Sequence, residues 1–156
     1  MKKRNVIIFI VCLLISYFVA FIGSLFIMQG IKSDWYLSVK PLITPPDWIF
    51  GVVWNFIFFL IAMSLFFAWT SAKSEKDRKR IFQVYSINFV ANAFWSIFYF
   101  TLHQPLWAFI DLVVVGISIL SIMLATWDED RRVTLLLTPY FIWICFAGVL
   151  NWMSIA

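Results

Sequence analysis

The sequence predicts an all-α membrane protein, a five-transmembrane-helix bundle with a lid-like first loop. Three observations carry that prediction. The chain is 63% hydrophobic and 13% charged, with a mean hydropathy of +0.93, whereas soluble domains are about half apolar and about a quarter charged. Its apolar residues fall into five runs, each near the roughly 20 residues that cross a bilayer as a helix. Between the first two runs lies WYLSVKPLITPPDWIFGVVW (residues 35–54), whose three prolines and three tryptophans break any continuous helix. The spans use nearly all of the 156 residues, so residues 1–156 read as one domain.

The first predicted span covers residues 5–29, behind a basic tip at residues 1–4. Its apolar run is longer than the roughly 7–15 residues of a signal peptide, so it reads as a retained helix. Within it Ser16, Ala20, Gly23 and Ile27 recur at helical spacing. Such a small-residue face either lets another helix approach closely or lines a cavity. In the stretch that follows, Pro41, Pro45 and Pro46 each fix φ and remove a backbone donor, so residues 40–46 cannot be helical. The whole aromatic stretch reads as rigid and non-helical up to the next span, with Thr44 placed as that span's N-cap. Irregular backbone cannot face lipid, where its polar groups have no partners. It therefore lies at the water interface or folds over the bundle as a lid, with Trp35, Tyr36, Lys40 and Pro41 as the lid residues.

The second span is predicted at residues 46–72 and is closed by the basic segment KSEKDRKR (residues 73–80). The third covers 81–102, and a His103-Gln104-Pro105 turn leads into the fourth at 106–126. A charged loop at 128–132 precedes the fifth, at 133–154. Loop charges then set the orientation. With the N-terminus in the cytoplasm, ten basic residues (Lys2, Lys3, Arg4, Lys73, Lys76, Arg78, Lys79, Arg80, Arg131, Arg132) fall inside and two, Lys32 and Lys40, fall outside. That is a strong positive-inside bias. It predicts a multi-pass protein of the cell membrane, its lid and C-terminus facing outward.

Composition also narrows function. The net charge of +4 sits in loops, where it serves topology and anionic lipid headgroups; it needs no nucleic-acid partner. Cys12 and Cys145 lie in apolar runs, and His103 is the single histidine, which argues against a disulfide framework or a metal site. No acid–base pair or activated nucleophile is visible, so an ordinary hydrolase or redox enzyme is not indicated. No internal repeat marks a secondary transporter.

Polar and aromatic groups inside the spans point elsewhere. Asp111 is the one acidic residue well inside an apolar run; such a carboxylate costs about 2.5–3.5 kcal/mol at mid-bilayer, so it is expected to be turned inward and paired or functional. Trp107 and Val114 share its face by spacing. Asn88, Asn92, Trp95 and Tyr99 form one stripe on the third span, Tyr140, Trp143, Ala147 and Asn151 another on the fifth, and Gly51, Trp54, Asn55 and Phe58 a third on the second. The amides alone can be helix-to-helix glue. Interfacial belts account for Trp35, Trp127 and Trp152, but not for the deeper Trp54, Trp95 and Trp143. An aromatic-walled cavity beneath the lid accounts for them, and suits a large planar or apolar ligand held by a few polar groups.

These residues resemble the tryptophan-rich sensory protein / translocator protein family, also called the peripheral-type benzodiazepine receptor family. The resemblance spans nearly the whole chain. It rests on Trp35-Tyr36-Leu37, Lys40-Pro41, Pro45-Pro46, Trp48 and Val53-Trp54; on Asn92, Trp95-Ser96, Trp107-Ala108 and Asp111-Leu112; and on Pro139-Tyr140, Trp143, Phe146-Ala147 and Leu150-Asn151. It implies a five-helix bundle, often a homodimer, whose first loop caps a ligand cavity. Carried over, the ligand-binding positions are Gly23, Trp54, Phe58, Asn92, Trp95, Trp107, Asp111, Trp143, Ala147 and Leu150, with Asn88 facing the same way by spacing. The implied function is a membrane receptor or sensor that binds protoporphyrin IX, haem and benzodiazepine- or isoquinoline-type drugs; no cofactor is required, the tetrapyrrole being a ligand. Two alternatives follow from the same resemblance: light-dependent porphyrin degradation, with Trp54 and Trp143 as the oxidisable indoles, and porphyrin or sterol transport. The sterol motif proposed for animal members needs Lys or Arg shortly after a tyrosine. Tyr140 is followed by Phe141, Ile142, Trp143, Ile144 and Cys145, so tight sterol binding is not expected.

Overall fold

The structure, a computed structural model, describes residues 3–155; Met1 and Lys2 of the basic tip lie outside the described residues. Five long helices run α1 Lys3–Gly30, α3 Asp47–Ser71, α4 Glu75–Ser96, α5 Pro105–Thr126 and α6 Arg131–Met153, with a short α2 at Asp34–Val39 in the first loop. A π-helical turn, Ile97–Thr101, extends α4. All five long helices are long and apolar enough to cross a membrane. Their outer faces carry Leu14, Phe18, Leu124 and Leu135, each more than 60% exposed. Water would penalise that surface; lipid does not. The chain is a multi-pass integral membrane protein.

Three expectations are corrected by local chemistry. The lid stretch is not wholly irregular: Ser33 caps α2, its Oγ accepting from Tyr36 N at 3.2 Å, so a helical turn forms before Pro41 can forbid one. Thr44 is not the N-cap of α3; Pro46 holds that position with no side-chain cap. The segment 73–80 is mostly helix rather than loop. Ser74 and Asp77 make a reciprocal capping box, Ser74 Oγ accepting from Asp77 N at 3.1 Å while Asp77 Oδ2 accepts from Ser74 N at 2.9 Å. Two orphan donors are thereby paired, and α4 starts six residues before the expected 81.

The long helices touch in the order α1–α3–α6–α5–α4 and back to α1, a closed ring. Tyr85, Tyr140, Ile57, Ile61, Ile119 and Leu137 fill its axis, each under 3% exposed. Polar residues in that core bond each other. Tyr85 donates to Ser64 Oγ at 2.9 Å, and Asn88 Nδ2 donates to Ser118 Oγ at 2.8 Å. Each bond joins two helices, and neither partner is left bare in a medium without water.

The two ends of the ring are closed differently. At the basic end, Asp130 caps α6 by accepting from Arg132 N at 3.0 Å, and it accepts from Ser71 Oγ of α3 at 2.9 Å. The Arg132 guanidinium and these bonds hold its carboxyl below the ordinary 3.8, at about 2. At the other end, α6 is stitched to the end of α4: Tyr99 Oη and Ser154 Oγ lie 2.7 Å apart, and Trp95 Nε1 donates to Asn151 Oδ1 at 3.0 Å. Asn151 Nδ2 also donates to the Pro105 carbonyl at 2.7 Å.

Candidate functional site

The first loop closes over this second end. Tyr36 of α2 is buried against Phe100 and Tyr99, with ring centroids 5.4 and 6.3 Å away. Trp35 stacks on His103 at 4.4 Å and 17° between planes. His103 takes a positive φ of 53° in the turn between α4 and α5, an uncommon backbone state for a side-chain-bearing residue. Lys40 Nζ reaches Asp47 at 2.8 Å, across the proline segment, and lies 5.4 Å from the centre of the Tyr36 ring. Burial first, and then the negative charge of Asp47, push the Tyr36 hydroxyl up to about 12. The half-exposed Lys40–Asp47 pair adds little energy, but it ties the lid's two halves together.

Beneath the lid are two adjoining chambers that share Ile27, Ile31, Phe50, Trp54 and Trp95. The upper chamber, about 640 Å³ of empty space with its open mouth included, has Tyr36, Pro41 and Thr44 as its roof. Tyr99, Phe100, Ala147, Leu150 and Asn151 complete its wall. The wider chamber, about 840 Å³ on the same basis, runs down between α1 and α3 past Gly23, Gly51, Asn55, Phe58, Asn92 and Ser96. Mostly apolar, aromatic walls with a few polar groups are typical of small-molecule sites.

Of the eleven predicted ligand-binding residues, seven meet at this cavity: Gly23, Trp54, Phe58, Asn92, Trp95, Ala147 and Leu150. Pro41 and Tyr36 of the lid also line it, whereas Trp35 and Lys40 hold the lid from outside. Four predicted positions lie off the wall. Asn88 is buried in the helix core, bonded to Ser118 and Tyr140, so its helix-joining reading is the one the structure supports. Trp107 is 56% exposed on the outside of the ring. The buried stripe of α5 is Ala108, Leu112, Val115, Ile119 and Ile122, which turns Trp107 outward and puts Asp111 at the flank, half-buried, with Oδ2 covered and unpartnered. Trp143 stands behind Phe50, with ring centroids 5.6 Å apart, and its Nε1 is likewise buried without a partner.

Sequence reasoning missed Phe50, Ile31, Phe100 and Thr44 as wall residues. Phe50 was findable: it stands one helical turn before Trp54 and so shares its face. Phe100 was not, because it depends on the π-helical turn, in which Leu102 N reaches back to Ile97 O at 2.9 Å. That wider turn puts both Tyr99 and Phe100 on the cavity wall; such turns recur at functional sites. Among the described residues no group of three or more His, Cys, Asp or Glu gathers to hold a metal ion.

Fold and site together define a class: a small multi-pass helical membrane protein whose structured first loop roofs an aromatic-walled cavity. Comparison with known proteins makes this specific, since the TspO/MBR family model matches residues 10–156. The chain belongs to the TspO/MBR family. It is 34% identical over 136 residues to the Tryptophan-rich protein TspO of Archaeoglobus fulgidus, covering 85% of each chain. It is 29% identical over 151 residues to the protein of that name from Chlorobaculum tepidum, covering 96% of this chain and 94% of the other. The human Translocator protein is 26% identical over 134 residues, covering 85% of this chain and 79% of its own.

Proposed function

We propose that the chain binds flat tetrapyrroles, protoporphyrin IX and haem, and benzodiazepine- or isoquinoline-type drugs, in the cavity beneath the lid, and acts as a membrane sensor or carrier for them. The observation that carries the reading is the pair Trp54 and Trp95, two indoles that line both chambers. Trp95 is oriented by its bond to Asn151 and its stacking on Tyr99, centroids 5.6 Å apart at 18°. A fixed aromatic face needs no ordering when a macrocycle stacks on it, so little binding energy is lost. The name Translocator protein, carried by the human relative, fits a carrier, and the basic end of the ring fits a cytoplasmic face of the cell membrane with the lid outside.

The test is a dark titration of the purified protein with protoporphyrin IX, followed by tryptophan quenching. Saturable binding is expected, with Trp95→Ala weakening it at least about tenfold, or 1.4 kcal/mol, and Trp95→Phe by less. Equal affinity in all three proteins refutes the stacking. Illuminating the complex then separates carrier from catalyst: a new absorbing product that disappears in Trp54→Phe with binding intact favours light-dependent degradation.

A further inference from the structure

At the opposite end of the bundle lies a second recess that the proposed function does not use. It opens between α1 and α4, with α3 as its floor, and encloses about 790 Å³ of empty space including its open side. Its origin is a wedge. Near the lid, glycines let α1 close on α4: a Cβ at Gly23 would sit 3.3 Å from Ser96 Oγ, and one at Gly30 2.6 Å from Phe100 Cβ. Toward the basic end the facing residues are Ile8, Val11 and Ile15 against Phe82 and Phe89, and bulk at both faces holds the helices apart.

The recess is chemically plain inside and charged at its mouth. Its most buried lining residues include Cys12, Leu65 and Tyr85, and the Tyr85 hydroxyl is already spent on Ser64 at 2.9 Å. A ring ligand that needs a polar anchor finds little here; an alkyl chain needs none. Arg4 precedes Val11 by seven and Ile15 by eleven, so the three share one line of α1. Lys79 precedes Ser86 by seven in the same way on α4. Both basic residues are exposed, and among the described residues the ion pairs are Lys40–Asp47, Arg78–Glu75 and Arg132–Asp130, none of which uses them. At about 1.5 Å per residue, the 8 steps from Ile7 to Ile15 make a slot about 12 Å long below those charges.

We propose that this recess is a binding site for an anionic phospholipid, one acyl chain lying in the slot and the phosphate held between Arg4 and Lys79. Hydrocarbon burial alone would not choose among lipids, because the bilayer is as apolar as the slot. The two unpaired cations at its mouth do choose, by headgroup charge. This site is separate from the cavity beneath the lid.

The test uses the full chain in phosphatidylcholine vesicles carrying a small fraction of lipid brominated on its acyl chain, with either a phosphatidylglycerol or a phosphatidylcholine headgroup. Bromine quenches nearby indoles, and Trp69 lines the slot. Its signal is the difference between wild type and Trp69→Phe. Quenching of Trp69 is expected to be at least threefold stronger with brominated phosphatidylglycerol, and the excess is expected to vanish in the Arg4→Gln/Lys79→Gln double variant. Unchanged protoporphyrin affinity in that variant shows that the fold is intact. Equal quenching by both headgroups in wild type overturns the proposal, leaving an unselective crevice. A preference that survives the double variant also overturns it, by placing the charge recognition elsewhere. So does the absence of Trp69 quenching with a cross-linkable dimer present, which would show a second copy covering the slot.

Discussion

Replacing Gly30 by alanine is expected to force the first helix away from the fourth at the lid end. An alanine Cβ at that position would lie 2.6 Å from Phe100 Cβ, 2.7 Å from Cδ1 and 3.0 Å from Cγ. Carbon atoms rest at about 3.5–4.0 Å, so about 1 Å of separation has to be found. A rotamer change of Phe100 cannot supply it, because the nearest atom is its own Cβ, fixed to the backbone. Overpacking of this kind costs about 1–3 kcal/mol. The gain in helix propensity is at most about 1 kcal/mol and smaller at the last residue of α1, so a net loss of about 1–2 kcal/mol remains. At about 2–4 °C per kcal/mol, the Tm in detergent should fall by about 2–8 °C. Gly23→Ala is the control. Its Cβ meets only the Ser96 hydroxyl, at 3.3 Å, which can turn aside, and the position is in mid-helix, where alanine helps. Its Tm should match or exceed wild type, while protoporphyrin affinity falls because the methyl enters the wider chamber. A Gly30→Ala protein as stable as wild type, or a Gly23→Ala protein that loses more, refutes the packing argument.

Asn151→Leu removes the acceptor of the Trp95 indole and the donor to the Pro105 carbonyl. It should cost about 1–3 kcal/mol in SDS-titrated unfolding and weaken porphyrin binding together with stability, whereas a purely local loss would leave binding unchanged. At alkaline pH the lid should loosen. Tyr36 ionises at about 12 in the folded protein against an ordinary 10.0, so the unfolded form gives up its proton first, and stability falls as pH rises from about 10 toward 12. Tyr36→Phe should lack that component in a pH series of Tm. Asp130 has the opposite sign: its folded value of about 2 lies below the ordinary 3.8, so its contribution is present above pH 4 and lost as pH falls toward 2. Asp130→Ala should cost about 1–2 kcal/mol at neutral pH through the lost cap and should flatten the acid limb of the same series.

The five spans were legible because lipid demands about 20 apolar residues in a row, and the cavity because tryptophans stood deeper than an interface belt explains. The rotation of each helix was harder to read. In soluble proteins the apolar stripe marks the inward face; here both lipid and core are apolar, so periodicity does not say which side is in. Trp107 and Asp111 illustrate this, since the stripe through Ala108, Leu112 and Val115 faces in and carries them off the wall. The start of α4 was legible and was overlooked: the charges of residues 73–80 outweighed the Ser74-x-x-Asp77 capping signature. The π-helical turn at Ile97–Thr101 has no local sequence signal, because its extra residue is set by the contacts of Tyr99 and Phe100 with the lid.

The polar groups of the cavity say what kind of affinity it can offer. Trp95 Nε1 is committed to Asn151, Asn92 Nδ2 donates to Tyr140 Oη at 2.8 Å, and Asp47 of the wider chamber is committed to Lys40 outside it. Thr44 Oγ1, in the roof of the upper chamber, is covered and without a partner, so a small shift of the roof would free it to donate to a ligand. With Ser24 and Ser96 as the serine hydroxyls of the wider chamber, a ligand is therefore held mainly by contact with aromatic faces and by a few hydroxyls, and not by charge pairing. Protoporphyrin IX dimethyl ester still presents carbonyl oxygens that Thr44 can donate to, so it should bind within about threefold of the free acid, under about 0.7 kcal/mol. Thr44→Val should weaken both ligands alike, by about 1 kcal/mol. A loss of more than tenfold on esterification would mean that a cation, Lys40 being the nearest to the roof, leaves Asp47 to pair with the propionates, and the lid would then be a recognition element rather than a cover.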